Sequence, residues 1–286
     1  MPFPSARLLL FAALASLLAL PAFAQSGTLA KIQRDQTIVI GYVDGAAPFS
    51  WVEGAGPPSG YSVDICRAVA ASIAATLKVG LKTRWVALTT RERQEAVKSK
   101  RVDLECGTTT WTLSRQAEVD FSMIIFVDGA NIVSRTDAGA SRVADFAGKK
   151  IAVLPATTTE KVLREALARD SIKAEVVSVP SRAEGLKLLE QAKVDGFASD
   201  RTTLIGAVAP RADRNRFRLL DADLSVESYA LMLPRDDQDF RVAVNRAIAA
   251  LYRSGEIRKI YDKWLGPLGA PSTLLNATYF IQGVAE

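Results

Sequence analysis

The chain has 286 residues, with 36 Lys and Arg against 31 Asp and Glu, a net charge of +5, and no histidine at any position. The missing histidine excludes Ser-His-Asp triads, Cys-His dyads and His-built zinc sites, and with them most hydrolase chemistry. The basic surplus is spread along the chain rather than clustered, which argues against a nucleic-acid role and fits solubility, with some attraction for an anionic ligand.

Residues 1–24 read as a secretory signal. Arg7 supplies the positive end, Leu8 to Leu20 the apolar stretch, and Ala22-Phe23-Ala24 a small-x-small cleavage site, with cleavage expected after Ala24. The apolar stretch is too short to span a bilayer comfortably, and no later run approaches the length of a spanning helix. The expected product is a soluble exported protein without stable membrane insertion, unless the segment is retained as an anchor. No cysteine stands at the cleavage point, which disfavours a lipoprotein.

Short apolar runs then alternate with helical patterns, the signature of an α/β fold with largely parallel sheets. Thr37 to Ile40 is a first strand, followed by a Gly- and Pro-containing loop from Gly41 to Gly60. Ile65, Val69, Ile73 and Leu77 recur every four residues, which predicts a helix with one apolar stripe. Arg84 to Leu88 is a second strand, Thr89-Thr90-Arg91-Glu92 a capping box, and Val102 to Leu104 a strand that delivers a threonine-rich loop. The run from Ile124 to Ser134 is almost continuously apolar. A second α/β unit starts near Lys150, with strands at Ile151–Leu154, Glu175–Val179, Gly196–Ser199 and Phe217–Leu220. A further strand at Tyr229–Leu233 precedes helices around Val242–Leu251 and Ile257–Trp264. Cys66 and Cys106 are the two cysteines; export permits a disulfide, and two buried thiols fit the sequence equally well.

The run Glu105-Cys106-Gly107-Thr108-Thr109-Thr110-Trp111-Thr112-Leu113-Ser114-Arg115 carries the chemistry. A guanidinium is a planar fork of donors that matches a carboxylate, and threonine hydroxyls both donate and accept. The combination suits an amino-acid α-carboxylate on Arg115 and an α-ammonium on Thr108. The plainer alternative is a strand-to-helix loop with Thr112 as N-cap and Arg115 in solvent.

This run resembles the ligand loop of the periplasmic polar amino-acid-binding proteins of ABC importers, solute-binding family 3, and its Glu-Cys-Gly opening is similar to their glutamate/aspartate branch. The likeness extends from about Thr37 to Trp264. It implies a bilobal clamshell of two α/β lobes joined by two crossings. Residues 25–132 with 229–286 would form the first lobe and residues 133–228 the second.

Residue by residue, the resemblance puts Arg115 and Thr110 on the α-carboxylate and Thr108 on the α-ammonium. Thr158, in the turn Ala156-Thr157-Thr158-Thr159-Glu160, would join the carboxylate from the second lobe. Thr157 and Glu160 also make an ordinary capping box. Asp200, at the end of Asp195-Gly196-Phe197-Ala198-Ser199, matches the partner of the amino group, with a solvated loop acid as the plainer alternative. Thr90 and Arg93 match the pair that meets a side-chain carboxylate, against the plainer reading of a solvated arginine.

Two departures stand out. Val43 occupies the place of a basic residue of that branch, and Arg182 the place of its histidine, so Arg182 is a candidate for the lost charge. Phe49, Trp51 and Trp111 are candidate pocket walls, with core packing as the alternative. The implied partners are a free L-amino acid and a membrane permease; a monomer without metal or cofactor is expected. The rivals are an exported dehydratase of prephenate-like (cyclohexadienyl) acids on the same scaffold, for which Glu105 and Asp200 are the candidate acids, and a sensory domain.

Overall fold

The computed structural model describes residues 27–285; the export signal and its cleavage point after Ala24 lie outside the described residues. The strands are β1 (Thr37–Val43), β2 (Trp51–Val52), β3 (Pro58–Ser59), β4 (Lys82–Leu88), β5 (Leu104–Glu105), β6 (Asp120–Asp128), β7 (Ala130–Arg135), β8 (Lys150–Val153), β9 (Glu175–Ser178), β10 (Gly196–Asp200), β11 (Phe217–Leu219) and β12 (Glu227–Leu233). The helices are α1 (Thr28–Asp35), α2 (Tyr61–Leu77), α3 (Arg93–Lys98), α4 (Leu113–Gln116), α5 (Thr158–Arg169), α6 (Arg182–Glu190), α7 (Arg201–Val208), α8 (Gln238–Ser254), α9 (Glu256–Trp264) and α10 (Thr273–Gln282). Helices α1, α6, α7 and α10 were not anticipated from the periodicity.

Two five-stranded sheets organise the chain, one in the order β4-β1-β5-β12-β6 and the other β11-β7-β10-β8-β9. Each belongs to one lobe of the clamshell. The chain leaves the first sheet at Asp128, enters the second at Ala130, and returns with Glu227 at the head of β12. The sequence reading placed these passages after residue 132 and before residue 229.

The sheets are mixed rather than largely parallel. β1 runs parallel to β4 and β5, and β8 parallel to β9 and β10, but β12 is antiparallel to β5 and β6, and β7 antiparallel to β10 and β11. The cause is the double crossing: β6 carries the chain out and β12 carries it back alongside, so the two must run in opposite directions.

Each sheet is covered on both faces. In the first lobe the α2 stripe of Ile65, Val69 and Ile73 packs with Ile38, Ile40, Leu104, Phe240 and Ile248, while Val39, Val97, Val102 and Phe121 fill the other face. In the second, Val133, Leu189 and Phe197 lie on one face, and Ile132, Phe146 and Leu163 on the other. Each such side chain contributes about 1.5–3 kcal/mol by leaving water. Cys66 of α2 is disulfide-bonded to Cys106, with Cα atoms 6.4 Å apart, which ties the threonine loop to the core helix beneath it. Among the described residues no helix is long and apolar enough to cross a membrane.

Candidate functional site

The threonine loop emerges from the carboxyl end of β5, where open α/β sheets present their ligands. Glu105 is fully buried, and its side chain folds back beneath Gly107; a Cβ on that glycine would drive into Glu105 Oε1. Glu105 Oε2 accepts the Thr109 hydroxyl at 2.7 Å. Backbone bonds then pin the loop to β12: Ala230 N–H donates to the Thr109 carbonyl and Trp111 N–H to the Ser228 carbonyl. Thr112 does cap α4, accepting from Arg115 N–H at 3.2 Å. Capping and cleft placement coexist, since the half-buried Arg115 side chain turns back so that Nη1 donates to the Thr110 carbonyl at 2.9 Å. Burial and the neighbouring Arg93 lower the Arg115 guanidinium to about 10, still cationic at neutral pH.

Thr89 and Glu92 bond reciprocally, with Glu92 N–H donating to the Thr89 hydroxyl and that hydroxyl to the Glu92 carboxylate. The helix itself begins at Arg93, so Thr90 sits in the turn before it rather than on its face. Arg93 is 5% exposed and its Nη1 has no hydrogen-bond partner among the described residues. Burial lowers its pKa; Glu105 and Asp200 support its charge and Arg182 opposes it. Thr90 and Arg182 line one cavity of about 350 Å³, together with Val43, Asp44 and Leu88.

From the second lobe, Thr157 caps α5 by accepting Glu160 N–H at 3.1 Å, while Glu160 accepts Ala156 N–H. Thr158, the first residue of that helix, brings its hydroxyl to 3.2 Å from that of Thr110. Arg182 opens α6 behind the Ser181 cap, and its Nη2 donates to Thr108 Oγ1 and to Asp200 Oδ2, both at 3.4 Å. Asp200 ends β10 and is buried. Burial raises its carboxyl, Arg182 pulls it down and Glu227 pushes it up. Thr108, Thr110, Arg93 and Arg115 of the first lobe thus converge with Thr158, Arg182 and Asp200 of the second.

The aromatic residues divide. Trp111 is 39% exposed and lines a groove of about 500 Å³ with Arg115, Thr158, Lys161 and Glu227. Phe49 is fully buried, edge-on to Tyr61, Phe126 and Tyr229, so it is core rather than pocket wall. Its loop is held by Tyr61 N–H donating to the Pro48 carbonyl and Ser62 N–H to the Phe49 carbonyl, an approach allowed because Gly60, at φ +130°, has no Cβ to strike the Phe49 carbonyl. Trp51 packs edge-on against Trp264 of α9, with ring centroids 5.1 Å apart, a contact between two lobe-1 elements rather than a cleft wall. For Phe49, burying a large ring against other rings won over lining a polar cleft, while Trp51 stays partly exposed beside Trp264.

Sequence reasoning missed the hinge acids. Asp128, the last residue before the first crossing, accepts from Thr202 N–H, the Thr202 hydroxyl and the Tyr229 hydroxyl. Burial and the nearby Asp200 carboxylate push it up to about 7. Glu227 is 2% exposed at the start of the return strand. The available signal was a lone acid two residues before Tyr229, at the head of an apolar strand. Among the described residues no group of three His, Cys, Asp or Glu is placed to hold a metal.

Residues 38–267 match the bacterial extracellular solute-binding proteins, family 3. The chain belongs to that family. It is 34% identical to an L-glutamate/L-aspartate-binding protein of Pseudomonas aeruginosa, over 90% of this chain and 86% of that one. A glutamate/aspartate import solute-binding protein of Escherichia coli is 28% identical over 84% of this chain and 80% of its own. In fold, the chain resembles an ABC uptake transporter substrate binding protein from Streptococcus pneumoniae with bound histidine, at a TM-score of 0.75 and 22% identity, covering 83% of this chain and 95% of that one. Within this family-3 scaffold Val43 is 4% exposed and packs in the apolar layer with Val39 and Leu88, so no cation rises from that position.

Proposed function

We propose that this family-3 protein binds an acidic L-amino acid, glutamate or aspartate, between its lobes and hands it to the membrane permease of an ABC importer. It would act as a monomer in the periplasm, after cleavage behind Ala24. The observation that carries the reading is the convergence of Arg115 and Thr110 with Thr158 and Asp200 across the cleft, next to Arg93, a buried cation whose Nη1 has no hydrogen-bond partner among the described residues. Arg115, Thr110 and Thr158 would hold the α-carboxylate, and Thr108 and Asp200 the ammonium. Arg93, Thr90 and Arg182 would meet the side-chain carboxylate. Names of the relatives in Pseudomonas aeruginosa and Escherichia coli support the acidic preference.

Binding follows from hinge geometry. The first-lobe loop is held by β12 and the disulfide, so it receives the ligand first. The second-lobe groups sit on helix starts and on a strand end, and they engage as the crossings at Gly129 and ahead of Glu227 close, a population shift toward the closed form. A dissociation constant of about 1 µM, near −8 kcal/mol, is expected. The same buried carboxyls, Glu105 and Asp200, would suit an acid catalyst, because burial raises both. Arg93 faces both of them, which favours a paired binding role.

The test is a thermal-shift titration of the mature, ligand-stripped protein against amino acids and dicarboxylates, with turnover of prephenate-like acids assayed alongside. A concentration-dependent rise confined to glutamate and aspartate is expected. A rise with neutral or basic amino acids overturns the preference, and turnover overturns the binding-only reading.

A further inference from the structure

Glu227 stands where the chain returns to the first sheet, buried, with Oε1 accepting the Ser225 hydroxyl at 2.6 Å. Its other oxygen, Oε2, has no hydrogen-bond partner among the described residues. Strand register sets Glu227 opposite Asp128 and Asp200 opposite Ala130, so the crossing at Gly129 gathers both carboxylates into one corner of the cleft. Glu227 shares a strand face with Tyr229, whose hydroxyl donates to Asp128 Oδ2 at 3.0 Å. The Glu227 charge is felt by Asp200, which it lifts, and by Arg115, which it supports. Glu227 also lines the groove that Arg115, Thr110 and Thr158 line.

A buried carboxylate with a free oxygen is costly, and two such anions near each other raise that cost. Asp200 already has a cation in Arg182 at 3.4 Å, whereas among the described residues the hydrogen-bond partner of the Glu227 carboxylate is the Ser225 hydroxyl alone. In an α-amino acid the ammonium and the carboxylate share one carbon. An acceptor for the ammonium must therefore stand beside the carboxylate-binding arginine, and Glu227 does so.

We propose that Glu227 is a second acceptor for the ligand's ammonium group, acting with Asp200, so that the site takes only ligands with a free, charged amino group. This deepens the acidic amino-acid reading and rests on it. A cation between the two carboxylates removes their repulsion and gives Oε2 its donor. Deaminated and N-acylated analogues leave Oε2 unpartnered and are rejected.

Isothermal titration of the parent and of Glu227→Gln with L-glutamate, N-acetyl-L-glutamate and glutarate tests this. Glutarate is the same dicarboxylate without the amino group. The parent should bind glutamate at least about 100-fold more tightly than either analogue. Glu227→Gln should weaken glutamate about 10- to 50-fold and leave glutarate within about 3-fold, with Asp200→Asn weakening glutamate in the same selective way. Unchanged glutamate affinity in Glu227→Gln overturns the proposal. Equal losses for glutamate and glutarate also overturn it, since Glu227 would then act through Arg115 or through the fold. A parent that binds no amino acid defeats the functional reading, and this proposal with it, before any variant is compared.

Discussion

The end of the cleft around Arg115 and the end around Arg93 and Arg182 both use arginines, but they hold them differently. Arg115 lies five residues from the carbonyl its guanidinium meets, on a loop fastened by Thr112, by β12 and by the Cys66–Cys106 bond. Arg93 and Arg182 come from different lobes, and the carboxylates that support them, Glu105 and Asp200, lie on two further strands. The first end is local and braced, and it would recognise what every α-amino acid carries. The second is assembled over long range, and its cations are incompletely partnered: Arg93 Nη1 and Arg182 Nε have no hydrogen-bond partner among the described residues. Generic recognition can rest on a rigid loop, whereas specificity rests on groups whose placement the whole fold decides.

The strongest way to break this comparison is at its braced end. Arg115→Ala should cost about 4 kcal/mol of binding for any amino acid, because it strands a desolvated carboxylate. Arg115→Lys should recover little of that, since a point charge does not replace the planar fork. Calorimetric titration of several amino acids with each variant checks both. If Arg115→Ala discriminated among side chains, the assignment of the two ends would be reversed.

Removing the brace comes next. Cys66→Ser should lower unfolding stability by about 4 kcal/mol, as expected for a loop of this length, and reduction of the parent should produce a similar fall, read by denaturant melts. The variant should weaken all ligands alike, because the bond supports the α-carboxylate loop rather than the side-chain end.

The other end is sharpened by Arg93→Gln and Arg182→Gln. Each should weaken glutamate by about 10- to 50-fold, while a neutral amino acid loses less, because a charge-assisted bond to the side-chain carboxylate disappears. If only Arg93→Gln behaves so, Arg182 serves Asp200 and Thr108 rather than the ligand.

The smallest effect is a pH dependence at the hinge. Asp128 is raised to about 7, so between about pH 4 and 7 the folded state holds a proton that the unfolded state has released. Stability should therefore fall as pH rises through that window. Asp128→Asn should flatten the slope in melts run from pH 4 to 8; an unchanged slope would assign it to another group.

The α/β alternation, the α2 stripe and the cap at Thr157 were legible in the chain because each is local: apolar period, turn chemistry and capping reach only a few residues. The same holds for the loop from Glu105 to Arg115, whose glycine, threonines and arginine act on one another. Tertiary structure alone decided that Phe49 and Trp51 are packing residues and that Cys66 meets Cys106. It also decided that the sheets are mixed and that Asp128, Asp200 and Glu227 gather at one hinge. The physical reason is common to all of these. Burial and electrostatic environment are sums over neighbours dozens to more than a hundred residues away, and the double crossing at Gly129 and Glu227 brings those neighbours together.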